Sequence, residues 1–315
     1  MSGPGVWPAG ARGAVSVTVD NLGEAAEIEL GLRAADAPRG DHYSVTTALP
    51  IMLETLSAAR LPATFFVEGI NAETYPDALA AIDEAGHELA YHAWCHEDWS
   101  TLDAAAEAAN LDRGLAALRA IGIEACGFRP PGGRITARTL DLLASRGLCH
   151  CSPAGSAPGI SPAGGSTLSN GALDDSPAAT SALGISSRKA DSVVVLPFSW
   201  LAVDAFHVLP AFAALREHLS GDSEPGGVDA IRAALLESID CVLANGGHAT
   251  LVLHTWMIEL ELDAVRDVLA HLRRALDAGE LWTAPCREVA TWIAEHAASF
   301  ADPPRLDDTS WTAPS

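Results

Sequence analysis

The chain reads as an α/β protein whose strands are parallel and close into a barrel. Two observations predict this. Short apolar runs alternate with stretches of helical periodicity along most of the 315 residues, as βα units do. Polar residues suited to catalysis also recur at the ends of those runs: Asp20-Asn21, His92 and His96, Arg129, and His254. In a barrel of parallel strands, such ends all open on one face.

Val15 to Asp20 alternates β-branched with small polar residues and reads as the first strand. A helix follows, with Ala48, Ile51, Met52 and Leu56 on one face. Ala63 to Val67 is a second strand, and residues 76–85 are a short helix closed by Gly86. Glu88 to Tyr91 is a third strand that runs into the histidine pair. Residues 103–120 show the 3.6-residue period through Leu111, Leu115 and Leu118. Gly127 to Arg129 is a fourth strand, broken by Pro130-Pro131-Gly132-Gly133. A helix over 136–146 and a fifth strand, Leu148 to Cys151, come next. Ser192 to Pro197 and Ala249 to His254 are later strands, the last preceded by a long helix over 228–244. Helices over 261–278 and 286–297 close the fold.

The organisation expected is an N-terminal extension (1–14), one barrel domain (15–300) and a polar, Pro-rich C-terminal tail (301–315). Residues 152–191 interrupt the rhythm. They are rich in Ser, Gly, Ala and Pro without periodicity, as in a functional lid or a surface excursion.

An apolar fraction of 49% allows a sizeable core. No stretch reaches the roughly 20 apolar residues of a membrane span, and Met1 to Ala14 lacks a basic-then-apolar signal pattern. The expectation is a cytoplasmic protein. Its formal charge of -22, from 41 acidic and 19 basic residues, argues against nucleic acid or anionic membranes as partners. The six cysteines form no C-x-x-C, so they read mostly as reduced, small apolar side chains. Cys149 and Cys151 would share one face of a strand. There is no G-x-S-x-G elbow, no P-loop and no dinucleotide fingerprint.

His92 and His96 stand four apart in Tyr91-His92-Ala93-Trp94-Cys95-His96-Glu97. Imidazole is the commonest catalytic metal ligand, but this spacing also occurs in histidines that merely pack. Asp20 could cap, Arg129 pair with a carboxylate and His254 sit hydrogen-bonded in the core. Coincidence of all four clusters at strand ends is the weaker explanation.

Together these segments resemble the polysaccharide deacetylase (NodB-homology, carbohydrate esterase 4) superfamily. The resemblance is strongest to its cytoplasmic deacetylase and allantoinase-like branch. Val17-Thr18-Val19-Asp20-Asn21, Ala63 to Val67, Ala85 to Glu97, Gly127 to Gly133 and Leu251 to His254 carry it, in the family's order. It implies an irregular (β/α) barrel of about seven strands. It makes Asp20 the general base, His92 and His96 metal ligands, and Arg129 the residue that holds the base. His254 becomes the general acid, and Asp204, a weaker match, the residue that orients it. Gly132 stands where the family has an aromatic residue whose backbone N–H serves the oxyanion. Homo-oligomerisation is also a family-based expectation.

One position departs from the family. The second acid of its motif, a metal ligand, is here Asn21. Three outcomes stay open: a divalent metal, zinc favoured by the imidazoles, held more weakly through Asn21; Glu24 as substitute ligand; or a metal-free site. The leading expectation is a hydrolase of non-peptide carbon–nitrogen bonds that deacylates a soluble small molecule or sugar conjugate. The alternatives are metal-free acid–base chemistry, such as cyclisation, ring opening or elimination, and an inactive binding protein. Trp94, Trp200, Trp256 and His42 are candidate pocket walls. Rim packing competes with that role for each tryptophan.

Overall fold

The computed structural model describes residues 5–155, 193–300 and 306. Eight strands are found among them: β1 (Gly13–Asp20), β2 (Thr64–Val67), β3 (Glu88–Tyr91), β4 (Gly127–Phe128), β5 (His150–Cys151), β6 (Val194–Val195), β7 (Gly247–His254) and β8 (Leu281–Thr283). The helices are α1 (Ala25–Glu29), α2 (Leu49–Ala59), α3 (Asn71–Thr74), α4 (Pro76–Glu84), α5 (Ala104–Ala120), α6 (Thr139–Ser145), α7 (Ala213–Ser220), α8 (Gly227–Asn245), α9 (Ile258–Asp277) and α10 (Cys286–Glu295).

The strands lie in the order β6-β5-β4-β3-β2-β1-β7, with β8 also on β1, and every pairing is parallel. Between the outer strands, β6 and β7, the ladder gives way to one parallel bridge, Val203 to Val252. The barrel is thus irregular at the place where Asp204 approaches β7: its N–H donates to the Val252 carbonyl at 3.1 Å.

β1 is paired along both edges, and all eight of its residues are buried. A parallel strand covered on both faces has no solvent side, which explains its run of Val and small residues. Ser16 and Thr18, also buried, satisfy their hydroxyls on the Ala284 and Leu251 carbonyls. α5 begins where Asp103 accepts from the N–H groups of Ala105 and Ala106, a standard N-cap. Its Leu111, Leu115 and Leu118 enter the main core.

Several elements differ from expectation. α9 starts at Ile258 rather than 261, which puts Glu261 on its first turn. α6 starts at Thr139, whose hydroxyl is engaged by the Thr136 N–H and the Trp99 indole. β8, α7, α1 and α3 are too short for periodicity to reveal. Of the expected insertion, Ser152 to Gly155 belong to the barrel. The Ser152 N–H donates to the Phe128 carbonyl at 2.8 Å, and Ala154 and Gly155 bridge to Phe198 and Leu306. Residues 156–191 lie outside the described residues, as does the expected tail apart from Leu306. The N-terminal extension packs: Trp7 is buried, with its ring 5.0 Å from Phe300. Among the described residues no helix is long and apolar enough to cross a membrane.

Candidate active site

Parallel pairing places the candidate residues at one end of the sheet. Asp20 of β1 is the register partner of His254 of β7. Val67, Tyr91 and Phe128 are register partners on β2, β3 and β4. Glu68, His92 and Arg129 each stand one residue beyond, at the carboxyl ends.

Arg129 is 1% exposed and fully engaged. Its Nη1 donates to Asp20 Oδ1 at 2.6 Å and to Thr18 Oγ1 at 2.8 Å, and its Nη2 donates to Ser152 Oγ at 2.9 Å. The guanidinium also lies 4.1 Å from the Phe66 ring centroid. Burial pushes the Asp20 carboxyl above its ordinary value, against the opposing pull of Arg129 and His254. Asp20 is therefore a stronger base than a surface aspartate while its orientation is held.

His92 Nδ1 donates to the Arg129 carbonyl at 2.8 Å, which leaves Nε2 with its lone pair. Burial pushes His92 down to about 3 and His96 well below its ordinary value. Both imidazoles are thus neutral at physiological pH, the state a metal requires. His96 and Ala93 adopt φ of 65° and 63°, so the loop after β3 is tightly turned to bring His96 back beside His92. The two rings meet edge to face with centroids 5.1 Å apart.

Sequence reasoning missed the third member of this cluster. Glu68, directly after β2, offers a carboxylate oxygen, and the ligand atoms of Glu68, His92 and His96 lie within 4.8 Å of one another, all buried. Glu68 Oε2 accepts from the Leu22 N–H and from Asn71 Nδ2, while Oε1 is buried with no partner. Burial first, and the Asp20 charge less so, pushes this carboxyl up to about 8. The signal was present: an acid closes the second strand just as Asp20 closes the first. Glu24, the substitute considered from the sequence, is committed elsewhere. Its Oε1 accepts from Tyr75 Oη at 2.8 Å and from the Gly40 N–H at 3.0 Å. Asn21 adopts φ of 61°, and its side-chain oxygen is buried and unpartnered. Two neutral imidazoles and an orphaned carboxylate oxygen fit a divalent cation. A His₂Glu set is typical of catalytic zinc.

On the other side, His254 Nδ1 donates to Asp204 Oδ1 at 2.5 Å, and the His254 N–H donates to Asp204 Oδ2 at 2.6 Å. Asp204 is fully buried, as is Glu261. The Glu261 oxygens find no donor, and the Glu261 carboxyl is pushed up by burial and by the Asp204 charge. Burial raises the Asp204 carboxyl too, to about 7, while a hydrogen bond from protonated Glu261 lowers it, so of the two acids Asp204 is the one that favours the charge, next to the imidazole. Glu261 is a second residue that sequence reasoning did not find. It lies on the helix after the acid, where spacing alone does not set it apart.

Gly132 lies in the turn after Arg129 with φ of 70°, a conformation that disfavours the family's aromatic residue. The aromatic candidates separate. Trp256 packs on His254, centroids 5.3 Å apart. Trp200 is buried between Phe198 and Phe212. Trp94 packs with Ala25 and Ile70 under the Arg113 guanidinium. His42 pairs with Ser44 and Glu27 in the early loop. Trp256 is thus the one for which the structure shows contact with a candidate catalytic side chain.

Residues 36–149 match the family model described as Polysaccharide deacetylase. Curated relatives include Peptidoglycan deacetylase-like protein FGM2 of Gibberella zeae, 35% identical over 88 residues, which are 28% of this chain and 26% of that protein. Chitin deacetylase 1 of Saccharomyces cerevisiae is 36% identical over 94 residues, 30% of this chain and 31% of the relative. The chain thus spans under a third of the length of these relatives. Among solved structures, a protein of Mycobacterium smegmatis described as a candidate polysaccharide deacetylase superposes with a TM-score of 0.73 at 24% identity, covering 98% of both chains. Puue allantoinase does so with 0.64 at 16% identity, covering 94% and 95%. The resemblance to the polysaccharide deacetylase superfamily therefore holds in sequence over the matched segment and in fold over the described chain. A carbohydrate esterase family 4 pseudoenzyme from Bacillus anthracis shares the fold with a TM-score of 0.50 at 13% identity, covering 89% and 66%. Fold alone does not decide activity, so the site must carry that argument.

Proposed function

We propose that the protein hydrolyses a carbon–nitrogen amide bond, removing an acyl group such as acetyl from a soluble small molecule or sugar conjugate. The observation that carries this is the buried Glu68–His92–His96 donor set at the same carboxyl ends of the sheet as the Asp20–Arg129 pair and the Asp204–His254 pair. Lewis acidity at the amide carbonyl and at the attacking water is what a divalent cation, zinc foremost, supplies when held by His92, His96 and Glu68.

The chain's own groups supply the rest. Asp20, oriented by Arg129, takes the proton of the attacking water. The turn at Gly132 offers backbone N–H to the oxygen on which charge develops. His254, held by Asp204 through Nδ1, gives a proton from Nε2 to the leaving nitrogen, without which an amine is a poor leaving group. Burial disfavours that charged imidazole while the neighbouring Asp20 charge favours it, and the proton Asp20 gains from water restores it after each turnover. The ring of Trp256 beside His254 offers an apolar face to the leaving group. The relatives named for deacetylation support this chemistry, and the intact acid–base pairs favour it over an inactive binding protein.

The test is metal content and acetate release from N-acetylated amino sugars and small amides, before and after chelation. The proposal expects activity that chelation removes and zinc restores. Full activity without metal would overturn the metal assignment and favour metal-free acid–base chemistry. Tight ligand binding without turnover would favour a binding protein.

A further inference from the structure

A second cluster of metal-ligating side chains lies at the opposite end of the barrel. Cys126 immediately precedes β4, Cys149 immediately precedes β5, and His150 and Glu88 open β5 and β3. All four therefore stand at the amino ends of three neighbouring parallel strands, away from the carboxyl ends that carry Asp20, His92 and His254. The register Gly127 to His150 sets Cys126 beside Cys149 one step earlier. The Cys149 N–H donates to the Cys126 carbonyl at 2.6 Å, and the two sulfurs are 2.8 Å apart. Both cysteines are free and half-buried.

The imidazole completes the set. The ligand atoms of Cys126, Cys149 and His150 lie within 4.8 Å of one another. Gly127 makes this possible, since a Cβ there would come 2.0 Å from His150 Nε2. Glu88 Oε1 accepts from His150 Nε2 at 2.9 Å and stands 3.8 Å from Cys126 Sγ, while Oε2 is occupied by Thr64 Oγ1 and the Arg287 N–H. His150 Nδ1 is buried without a partner.

We propose that Cys126, Cys149 and His150, with Glu88 as carboxylate partner, form a second, sulfur-rich cation site for zinc or a similar thiophilic divalent ion. Two sulfurs and one imidazole, with a carboxylate beside them, suit an ion with borderline-soft preferences, which the sulfurs reach by opening from their 2.8 Å separation. Binding releases the two thiol protons to solvent and leaves two thiolates on the ion. The ion ties β3, β4 and β5 together at the end remote from catalysis, so its role is structural.

The experiment uses the full chain, reduced and freed of metal, titrated with Co²⁺ alone and then with Zn²⁺. A thiolate-to-cobalt charge-transfer band is expected, because the Glu68–His92–His96 set contains no sulfur and cannot produce one. The band persists in the His92→Ala/His96→Ala variant and disappears in Cys149→Ser, which also binds one ion fewer. In the unaltered protein, Zn²⁺ protects Cys126 and Cys149 from alkylation, read by peptide mass spectrometry, so the test does not depend on a variant folding. Absence of the band, unprotected thiols, or a Cys126–Cys149 disulfide that persists in reduced protein would each overturn the proposal. None of these readouts depends on turnover, so failure of the amidase reading leaves them unaffected.

Discussion

Replacing Glu68 by Gln separates what this carboxylate does for metal binding from what it costs the fold. The carboxyl is fully buried and pushed up to about 8, from an ordinary value of 4.5 when exposed. An acid whose folded value is raised contributes stability that is fully present below its unfolded value and is lost as pH rises through its folded one. Without metal, the wild type should therefore weaken between about pH 4.5 and pH 8. At about 1.4 kcal/mol per pH unit, the loss is about 3 kcal/mol at pH 7 and approaches about 5 kcal/mol above pH 8. Gln is neutral at every pH and keeps an oxygen for the Leu22 N–H and Asn71. Its amide nitrogen would be as unpartnered as Oε1 is now.

Glu68→Gln should therefore leave chelated protein unchanged near pH 4 and stabilise it by about 3 kcal/mol at pH 7. Urea unfolding of both proteins across this range measures the difference. Added zinc should stabilise the wild type by mass action and the variant far less at this site. A stability difference that does not change with pH, or a variant less stable than wild type at pH 7, would refute the reasoning.

Asp20→Asn and His254→Ala should each lower kcat by roughly 10²- to 10⁴-fold in acetate-release assays, because each removes one proton transfer. Near-normal rates in both would show that the roles are misassigned. Asp204→Asn should lower kcat with little change in KM, since the histidine loses its orientation while substrate contacts remain. Glu261→Gln should retain most activity, because a neutral donor still faces Asp204, whereas Glu261→Ala should lose more, measured side by side. Trp99→Ala should cost about 3–5 kcal/mol in denaturant unfolding: its ring is buried 4.6 Å from Phe128, and its indole N–H donates to Thr139.

Much of the site was legible because each residue closes a recognisable strand. Asp20, His92, Arg129 and His254 follow apolar runs, and in a parallel sheet that position alone brings them to one face. Glu68 obeyed the same rule, but Asn21 directed attention to local substitutes such as Glu24. The carboxylate that lies with the histidines comes from the neighbouring strand instead, as only the pairing of β2 with β3 shows. Asp204 was a weak match because it sits in irregular chain, where no period marks it. Its place under His254 follows from the single bridge to β7. Glu261 needed the true start of α9, and Trp94 needed the packing of α1 and α5.

By itself the sequence determined the βα alternation, the strand ends and the residue types placed there, because these depend on local periodicity and backbone preference. The tertiary structure decided which carboxylate faces the imidazoles, which buried acids act on each other behind His254 and which cysteines meet below the barrel. Those are contacts between distant parts of the chain. Their chemistry comes from burial, which raises Glu68, lowers His92 and leaves oxygens without partners. Burial is a property of the packed whole, and no short stretch of sequence contains it.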